Sequence, residues 1–190
     1  RLMQIVDYAV EKLVEKRRIK GEALTMDSTF IRAHSRRSLD NRTGYSDPES
    51  RVGRSGRSRD LGYRLHLAVD VKSEMPVAMA VASANENEKK HFRKLAIRSK
   101  GRFPNAALHI ADSQYSCEGF RKFVSRMGSK PVIAKRCNER MGRGDFCVDR
   151  AFRCHGNKRM CKLYRKRTAC ERMNSRAERL IGRCKLRGLE

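Results

Sequence analysis

Three acids in this chain of 190 residues stand where their neighbours call for apolar side chains, or on a helix that could carry one of them to the other two. Asp27 interrupts the β-branched and apolar run from Glu22 to Ile31, which reads as a strand, and a charge in mid-strand needs a partner. Asp112 closes Ala107 to Ala111, a short buried strand. Glu171 lies in the strongest helix signal of the chain, Leu163 to Cys184, where no Pro occurs and no Gly before Gly182. Tyr164, Arg167 and Glu171 fall there at i, i+3 and i+7, which puts them on one helical face within two turns. Three converging carboxylates would raise one another's pKa and protonate one of the set, unless a divalent cation supplied the missing charge. Hard oxygen ligands without His or Cys suit Mg²⁺ or Mn²⁺ rather than zinc. Two such ions about 4 Å apart clamp the attacking and leaving oxygens of an in-line displacement at phosphorus, as in nuclease or strand-transfer chemistry. Taken singly, each aspartate is a strand-end or turn-capping residue. Only the combination with Glu171 points to chemistry.

The elements that must position these acids follow from periodicity. Leu2, Ile5, Val6, Ala9, Val10, Leu13 and Val14 have helical spacing and run into Gly21. Tyr63 to Val71 alternates apolar with polar residues, and Val77, Met79 and Val81 alternate with alanines, so the two segments form a hairpin. Helices follow over 85–99 and 117–127, with strands at 107–111 and 131–134. The order is strand, strand, strand, helix, strand, helix, strand, helix, an α/β pattern with mixed pairing. Two stretches break it. Residues 32–60 lose apolar content and carry Arg32, Arg36, Arg37, Arg42, Arg51, Arg54, Arg57 and Arg59, which reads as a loop or arm. Residues 136–161 are glycine-bearing and basic, and read as an irregular insertion.

Composition names the partner class. Lys and Arg number 45 against 21 Asp and Glu, a net charge of +24 and a pI near 10.5, and such a chain repels itself unless it meets a polyanion. Arg outnumbers Lys 30 to 15, and the planar guanidinium fork matches phosphate oxygens better than an ammonium does. Nucleic acid is the first candidate. No apolar run is long enough for a transmembrane helix, and no signal-peptide core opens the chain, so a cytoplasmic, nucleoid-associated protein is expected. The seven cysteines are odd in number and irregularly spaced, and read as mostly reduced thiols. Cys147, Cys154, His155 and Cys161 could form a zinc site of three Cys and one His, but no Cys-x-x-Cys spacing supports it.

Several stretches resemble the DDE transposases of bacterial and archaeal insertion sequences. They are Met26-Asp27-Ser28-Thr29, Asp47-Pro48-Glu49-Ser50-Arg51 leading into Gly62-Tyr63-Arg64-Leu65-His66-Leu67-Ala68-Val69-Asp70, Ile110-Ala111-Asp112-Ser113-Gln114-Tyr115, and Tyr164-Arg165-Lys166-Arg167-Thr168-Ala169-Cys170-Glu171-Arg172. The resemblance runs nearly continuously from residue 26 to 189. It implies a ribonuclease H-like domain: a mixed five-stranded sheet flanked by helices, with the Arg-rich loop after strand 1 and the insertion before the C-terminal helix. Asp27 would lie on the first strand, Asp112 after the fourth and beside it, and Glu171 on a following helix, together holding two Mg²⁺ or Mn²⁺ ions. The implied activity is metal-dependent DNA cleavage and strand transfer, with transposon ends and target DNA as partners and a homodimer in the DNA complex. The alternatives are a nuclease or host-adopted derivative on the same fold, and a non-catalytic basic RNA- or DNA-binding module. In the related families the final motif continues to a basic residue where this chain has Glu178; Arg176, Arg179 and Lys185 are the nearest substitutes. The chain begins at Arg1 rather than Met, as expected of a partial chain. Residues 1–20 then read as a helix left from an N-terminal region, and 21–190 as the catalytic domain.

Two expectations concern DNA contact. Tyr164 could stack on an unpaired base while Arg167 grips the adjacent phosphate; alternatively Tyr164 packs in the core and Arg167 pairs with a neighbouring acid. The arginines of 32–60, among them Arg32, Arg36, Arg37, Arg51, Arg54 and Arg57, are expected to contact phosphates without regard to sequence. Replacing four arginines of this stretch should therefore flatten the plot of log K against log salt by up to about four phosphate contacts, at roughly 0.9 each. An unchanged slope in a salt titration of DNA binding would make the stretch an ordinary solvated loop.

Overall fold

The computed structural model describes residues 2–33, 47, 49–55 and 58–183. Its first helix, α1 (Leu2–Glu15), buries Val10 in the main core and pairs Asp7 with two arginines of a later helix, Arg98 and Arg102. The centre of the molecule is β1 (Ala23–Arg32), whose backbone serves both halves of a mixed sheet. On one side it pairs antiparallel with β3 (Ser58–Asp70), Leu24 opposite Asp70 through Arg32 opposite Gly62. On the other it pairs parallel with β5 (Leu108–Ala111), which in turn pairs parallel with β6 (Lys130–Ile133). The outer edge of β3 is shared by β4 (Pro76–Ser83) and β2 (Arg51–Ser55): Gly62 faces Arg32 on one side, so its second partner, Arg51, lies on the other.

The two-residue period of β1 sends its side chains alternately to two cores. Leu24 and Met26 join Ala68, Val77, Phe92, Leu95, Phe120 and Val124 beneath α2 (Lys89–Arg102) and α3 (Glu118–Arg126). The opposite face carries Leu65, Leu67 and Val69 against Cys170, and Ile110 and Val132 against Cys161 and Tyr164. Cys170 belongs to α5 (Thr168–Arg183), Cys161 and Tyr164 to α4 (Lys158–Tyr164). Among the described residues no helix is long and apolar enough to cross a membrane.

The expected α/β architecture is present, with three local differences. The sheet has six strands rather than five, because residues 51–55 and 58–60 of the supposed arm are strand. Their polar sequence hides this: β2 gains its stability from backbone pairing to an extended β3 and from Gly53, where a Cβ would meet the Ala84 carbonyl oxygen at 2.3 Å. Arg36, Arg37, Arg42 and Arg57 lie outside the described residues. The insertion is partly ordered as a hairpin of β7 (Phe146–Val148) and β8 (Cys154–Gly156), joined to the sheet where Lys135 bridges Cys147. The terminal helix tightens partway along. A 3₁₀ turn, Arg165–Arg167, separates α4 from α5, and Asn157 caps α4 by accepting from the Met160 amide at 3.1 Å.

The entry into β1 turns on Gly21, whose φ of +67° favours glycine and whose amide donates to buried Asp70 at 3.2 Å. A Cβ there would stand 2.0 Å from the Phe103 ring. Gly21→Ala should destabilise the fold by roughly 2 to 4 kcal/mol, the sum of backbone strain and overpacking. A thermal melt should fall by about 5 to 15 °C, and a loss below about 1 kcal/mol would mean that Phe103 moves aside freely.

Candidate active site

Met26 of β1 stands opposite Ala111 of β5, so Asp27 and Asp112 follow side by side on adjacent parallel strands. Asp112 thus sits at the C-terminal end of β5, where α/β sheets present ligand groups, and Asp27 lies mid-strand at the point where β1 parts from β5. Asp27 opposes Leu67, on the sheet face covered by α5, and its side chain is only 19% exposed. Its Oδ1 accepts from the Ser28 amide at 2.9 Å, and Oδ2 faces the Arg167 guanidinium at 3.2 Å. Burial pushes its pKa up to about 6: Arg167 and the Ser28 amide pull it down, and the charges of Asp112 and Glu88 push it further up.

Asp112 opens a 3₁₀ turn, Ser113–Tyr115, and accepts from the Ser113 amide at 2.6 Å. The Tyr164 hydroxyl donates to its Oδ1 at 3.0 Å. The Tyr164 ring is buried and meets Phe146 edge-on, with 5.3 Å between centroids, so it is packed rather than free to stack on a base. Burial, with the neighbouring Asp112 charge, pushes its hydroxyl pKa well up, which keeps it a proton donor to the carboxylate. Arg167 likewise takes the paired geometry, binding Asp27 through Nη1 and Glu171, one helical turn on, through Nη2. Its guanidinium also lies 5.6 Å from the centroid of the Tyr164 ring. Arg167 lies in the 3₁₀ turn and reaches Asp27 of β1, while Glu171 is half-exposed on α5.

The site opens into a cleft of about 900 Å³ between the acids and the β7–β8 hairpin. The outstanding feature of the far wall is Phe152, which is 86% exposed and held at φ +59°. Asp149 fixes that turn, accepting from the amides of Ala151 and Arg153 and from the side chains of Arg153 and His155. Sequence reading missed Phe152; its signal was one aromatic residue inside a charged stretch.

The donor set, three carboxylates without His or Cys, fits a hard divalent cation. Asp27 carries the strain such a site relieves, a buried acid beside a second one. Arg167 bridges Asp27 and Glu171, and among the described residues no three His, Cys, Asp or Glu side chains are grouped to hold a metal ion. The four residues Cys147, Cys154, His155 and Cys161 do not form a zinc site: Cys154 and Cys161 are joined in a disulfide, against the expectation of reduced thiols at these two, Cys147 is a buried free thiol, and His155 binds Asp149.

The remaining expected residues are dispersed. Arg32 is exposed and pairs with Asp60 at 3.2 Å, Arg51 donates to the Ser50 carbonyl at 2.8 Å, and Arg54 is exposed on β2. Glu178, in the place of the usual basic residue, accepts from the Thr29 hydroxyl at 2.5 Å and so ties α5 to β1. Of its nearest substitutes, Arg176 is engaged by Glu74, Arg179 donates to the Ser175 carbonyl, and Lys185 lies outside the described residues.

With this geometry in view, the comparisons with known proteins are direct. The family model described as a transposase DDE domain matches residues 19–190. The chain belongs to the DDE transposase family. Its fold is similar to the piggyBac transposase in a synaptic complex with hairpin DNA, at 11% identity and a TM-score of 0.51, over 93% of this chain and 45% of that one. A Mos1 mariner paired-end complex with Mn matches at 12% identity and a TM-score of 0.35, over 68% of this chain and 41% of that one. The chain thus spans less than half the length of either protein. No curated protein sequence matches it.

For a DDE transposase domain, the burial of Asp27 has a measurable cost. A carboxyl whose pKa is about 6 in the folded chain and about 3.8 unfolded loses stability as pH rises from about 4 to 6, on the order of 2 to 3 kcal/mol in all. In chelator at pH 7.5, Asp27→Asn should therefore raise the melting temperature by several degrees. The gain should shrink toward zero at pH 4; a pH-independent change, or a loss, would mean that the Arg167 pair outweighs burial.

Proposed function

We propose that this chain is the catalytic domain of an insertion-sequence transposase, cleaving DNA and transferring the freed strand into target DNA with two Mg²⁺ or Mn²⁺ ions. The observation that carries the reading is the placement of Asp27, midway along β1, beside Asp112, just past the end of β5, with Glu171 joined to Asp27 through a single guanidinium. Asp27, Asp112 and Glu171 would hold the ions, which when bound activate the attacking oxygen and stabilise the leaving one at phosphorus. The chain's own side chains do the rest. Tyr164 orients Asp112 by its hydrogen bond, and the packing of its ring on Phe146 fixes that bond's direction. Arg167 carries positive charge at the rim of the cleft, where a phosphate approaches the acids. Arg153 and Arg165 line the same cleft and extend the cationic surface, and Phe152 offers an exposed ring to the bound strand. The basic excess of the chain draws DNA to this surface, with Arg32, Arg51 and Arg54 adding phosphate contacts. Two copies acting together on paired ends, and nucleoid association in the cytoplasm, belong to the same reading.

The test is a cleavage assay on DNA carrying the flanking ends of the parent element. Asp27→Asn, Asp112→Asn and Glu171→Gln should each reduce Mg²⁺-dependent cleavage by at least about 10³-fold while DNA affinity is unchanged or tighter, since removing negative charge cannot weaken attraction to a polyanion. Parental cleavage by any one of these variants would remove that residue from the site.

A further inference from the structure

One carboxylate near the site has no part in the reading above. Glu88 immediately precedes α2, outside the sheet, and its side chain is only 17% exposed. Its Oε1 receives the Arg64 guanidinium at 2.6 Å. The Gln114 amide, with its nitrogen turned to the acid, donates to Oε2 at 2.7 Å and lies 3.1 Å from Oε1. Both partners lead to the catalytic acids. Gln114 belongs to the 3₁₀ turn that Asp112 opens, two residues away. Arg64 stands opposite Phe30 in the β1–β3 register, two places from the His66–Ser28 pair and on the same sheet face. From there its Nη1 reaches the Ser28 hydroxyl at 3.4 Å, one residue after Asp27, while Nη2 donates to the Arg54 carbonyl at 2.8 Å. Glu88 thus touches, through one arginine and one amide, the two segments that carry the aspartates. It does so from the sheet face opposite Asp27.

We propose that Glu88 is a positioning residue of the active site, a clamp that sets the spacing of Asp27 and Asp112 by holding Arg64 and Gln114 together. The inference rests on the reading of these aspartates as metal ligands. Backbone pairing of β1 with β5 ends at Met26 and Ala111, so no ladder hydrogen bond fixes the two acids against each other. The Ser113–Tyr115 turn begins at that point, and Gln114 is where a side chain ties it back to the body of the domain. A bidentate acid between an arginine and an amide is rigid enough for the task, since charge-assisted bonds are short and directional. Glu88 also contributes to raising the pKa of Asp27, as a charge lying near that carboxyl must.

The experiment measures Mn²⁺ binding to the 190-residue chain by electron paramagnetic resonance, beside a thermal melt, in four variants. Glu88→Gln removes the charge of the clamp. Gln114→Ala, at an exposed position, breaks one arm of it, leaves every charge in place and carries little folding risk. Asp7→Asn cuts a comparable ion pair between α1 and α2, remote from the acids, and serves as the structural control. Asp27→Asn reports whether the ion sits at the acids at all. Glu88→Gln and Gln114→Ala should each weaken Mn²⁺ binding by about 10-fold or more, the usual effect of losing a group that orients a ligand, while Asp7→Asn lowers only the melting temperature. Weakening in Glu88→Gln without weakening in Gln114→Ala would reduce Glu88 to a bare charge and overturn the clamp. So would Mn²⁺ affinity within twofold of the parent in both. If Glu88→Gln does not fold, Gln114→Ala decides alone. Binding lost in Asp27→Asn yet untouched in the clamp variants would sink this proposal and leave the transposase reading standing, whereas binding indifferent to Asp27 would sink both.

Discussion

Two carboxylates side by side where two buried strands part need a cation, and much of this structure is arranged around supplying one. Asp27 and Asp112 each follow the last residue paired between β1 and β5, so the sheet brings the two charges close without itself setting their spacing. Water is largely excluded from Asp27, and burial pushes its pKa to about 6. The chain answers with Arg167, whose two guanidinium nitrogens reach Asp27 and Glu171. That residue closes the tighter 3₁₀ turn between α4 and α5, through which the backbone stays helical. A guanidinium is bulky and its charge is single, so it partly compensates a site whose donors are suited to a small doubly charged ion.

The acids are precise only if the elements that carry them are fixed, and the remaining ion pairs serve that end. Glu74, in the turn between β3 and β4, engages Arg172 and Arg176 and so fastens α5 alongside the sheet. Glu178 fastens the next turn of α5 to Thr29 of β1. These anchors hold the helix just beyond Glu171, one from the β3–β4 turn and one from β1. Glu178 therefore has a structural account at a position where related chains place a positive charge. The positive charge lost there is small beside the excess of the whole chain.

How much of this could be read from sequence depended on whether a signal was periodic or geometric. Strand alternation around Asp27 and in Tyr63–Val71, and the short buried run before Asp112, placed the two aspartates on strands without reference to any partner. Strand β2 escaped because its evidence is backbone pairing and a close approach at Gly53, neither of which leaves an apolar pattern. The 3₁₀ turn escaped because Arg165, Lys166 and Arg167 are good helix formers, and nothing local marks where a helix tightens. The Cys154–Cys161 bond escaped since spacing alone cannot say whether two thiols meet. Glu88 was invisible for a related reason: its partners are 24 and 26 residues away in sequence, and nothing local marks an exposed-looking glutamate as buried.

The charge imbalance, +24 overall, looks at first like a reason for the chain not to fold. Its acids, however, are not scattered. Asp7 faces Arg98 and Arg102, Glu74 faces Arg172 and Arg176, Glu88 faces Arg64, and Asp27 and Glu171 share Arg167. Each of these pairs spans two elements of the fold, apart from the helical Arg167–Glu171 pair. These acids thus tie helix to helix or helix to sheet, or line the cleft, and the excess of positive charge falls largely on exposed side chains. There the repulsion it causes is weakened by water and salt, and a phosphate backbone would relieve it further. The arginines paired with these acids hold the scaffold, and the proposed attraction to DNA rests on the excess of positive charge over the whole chain.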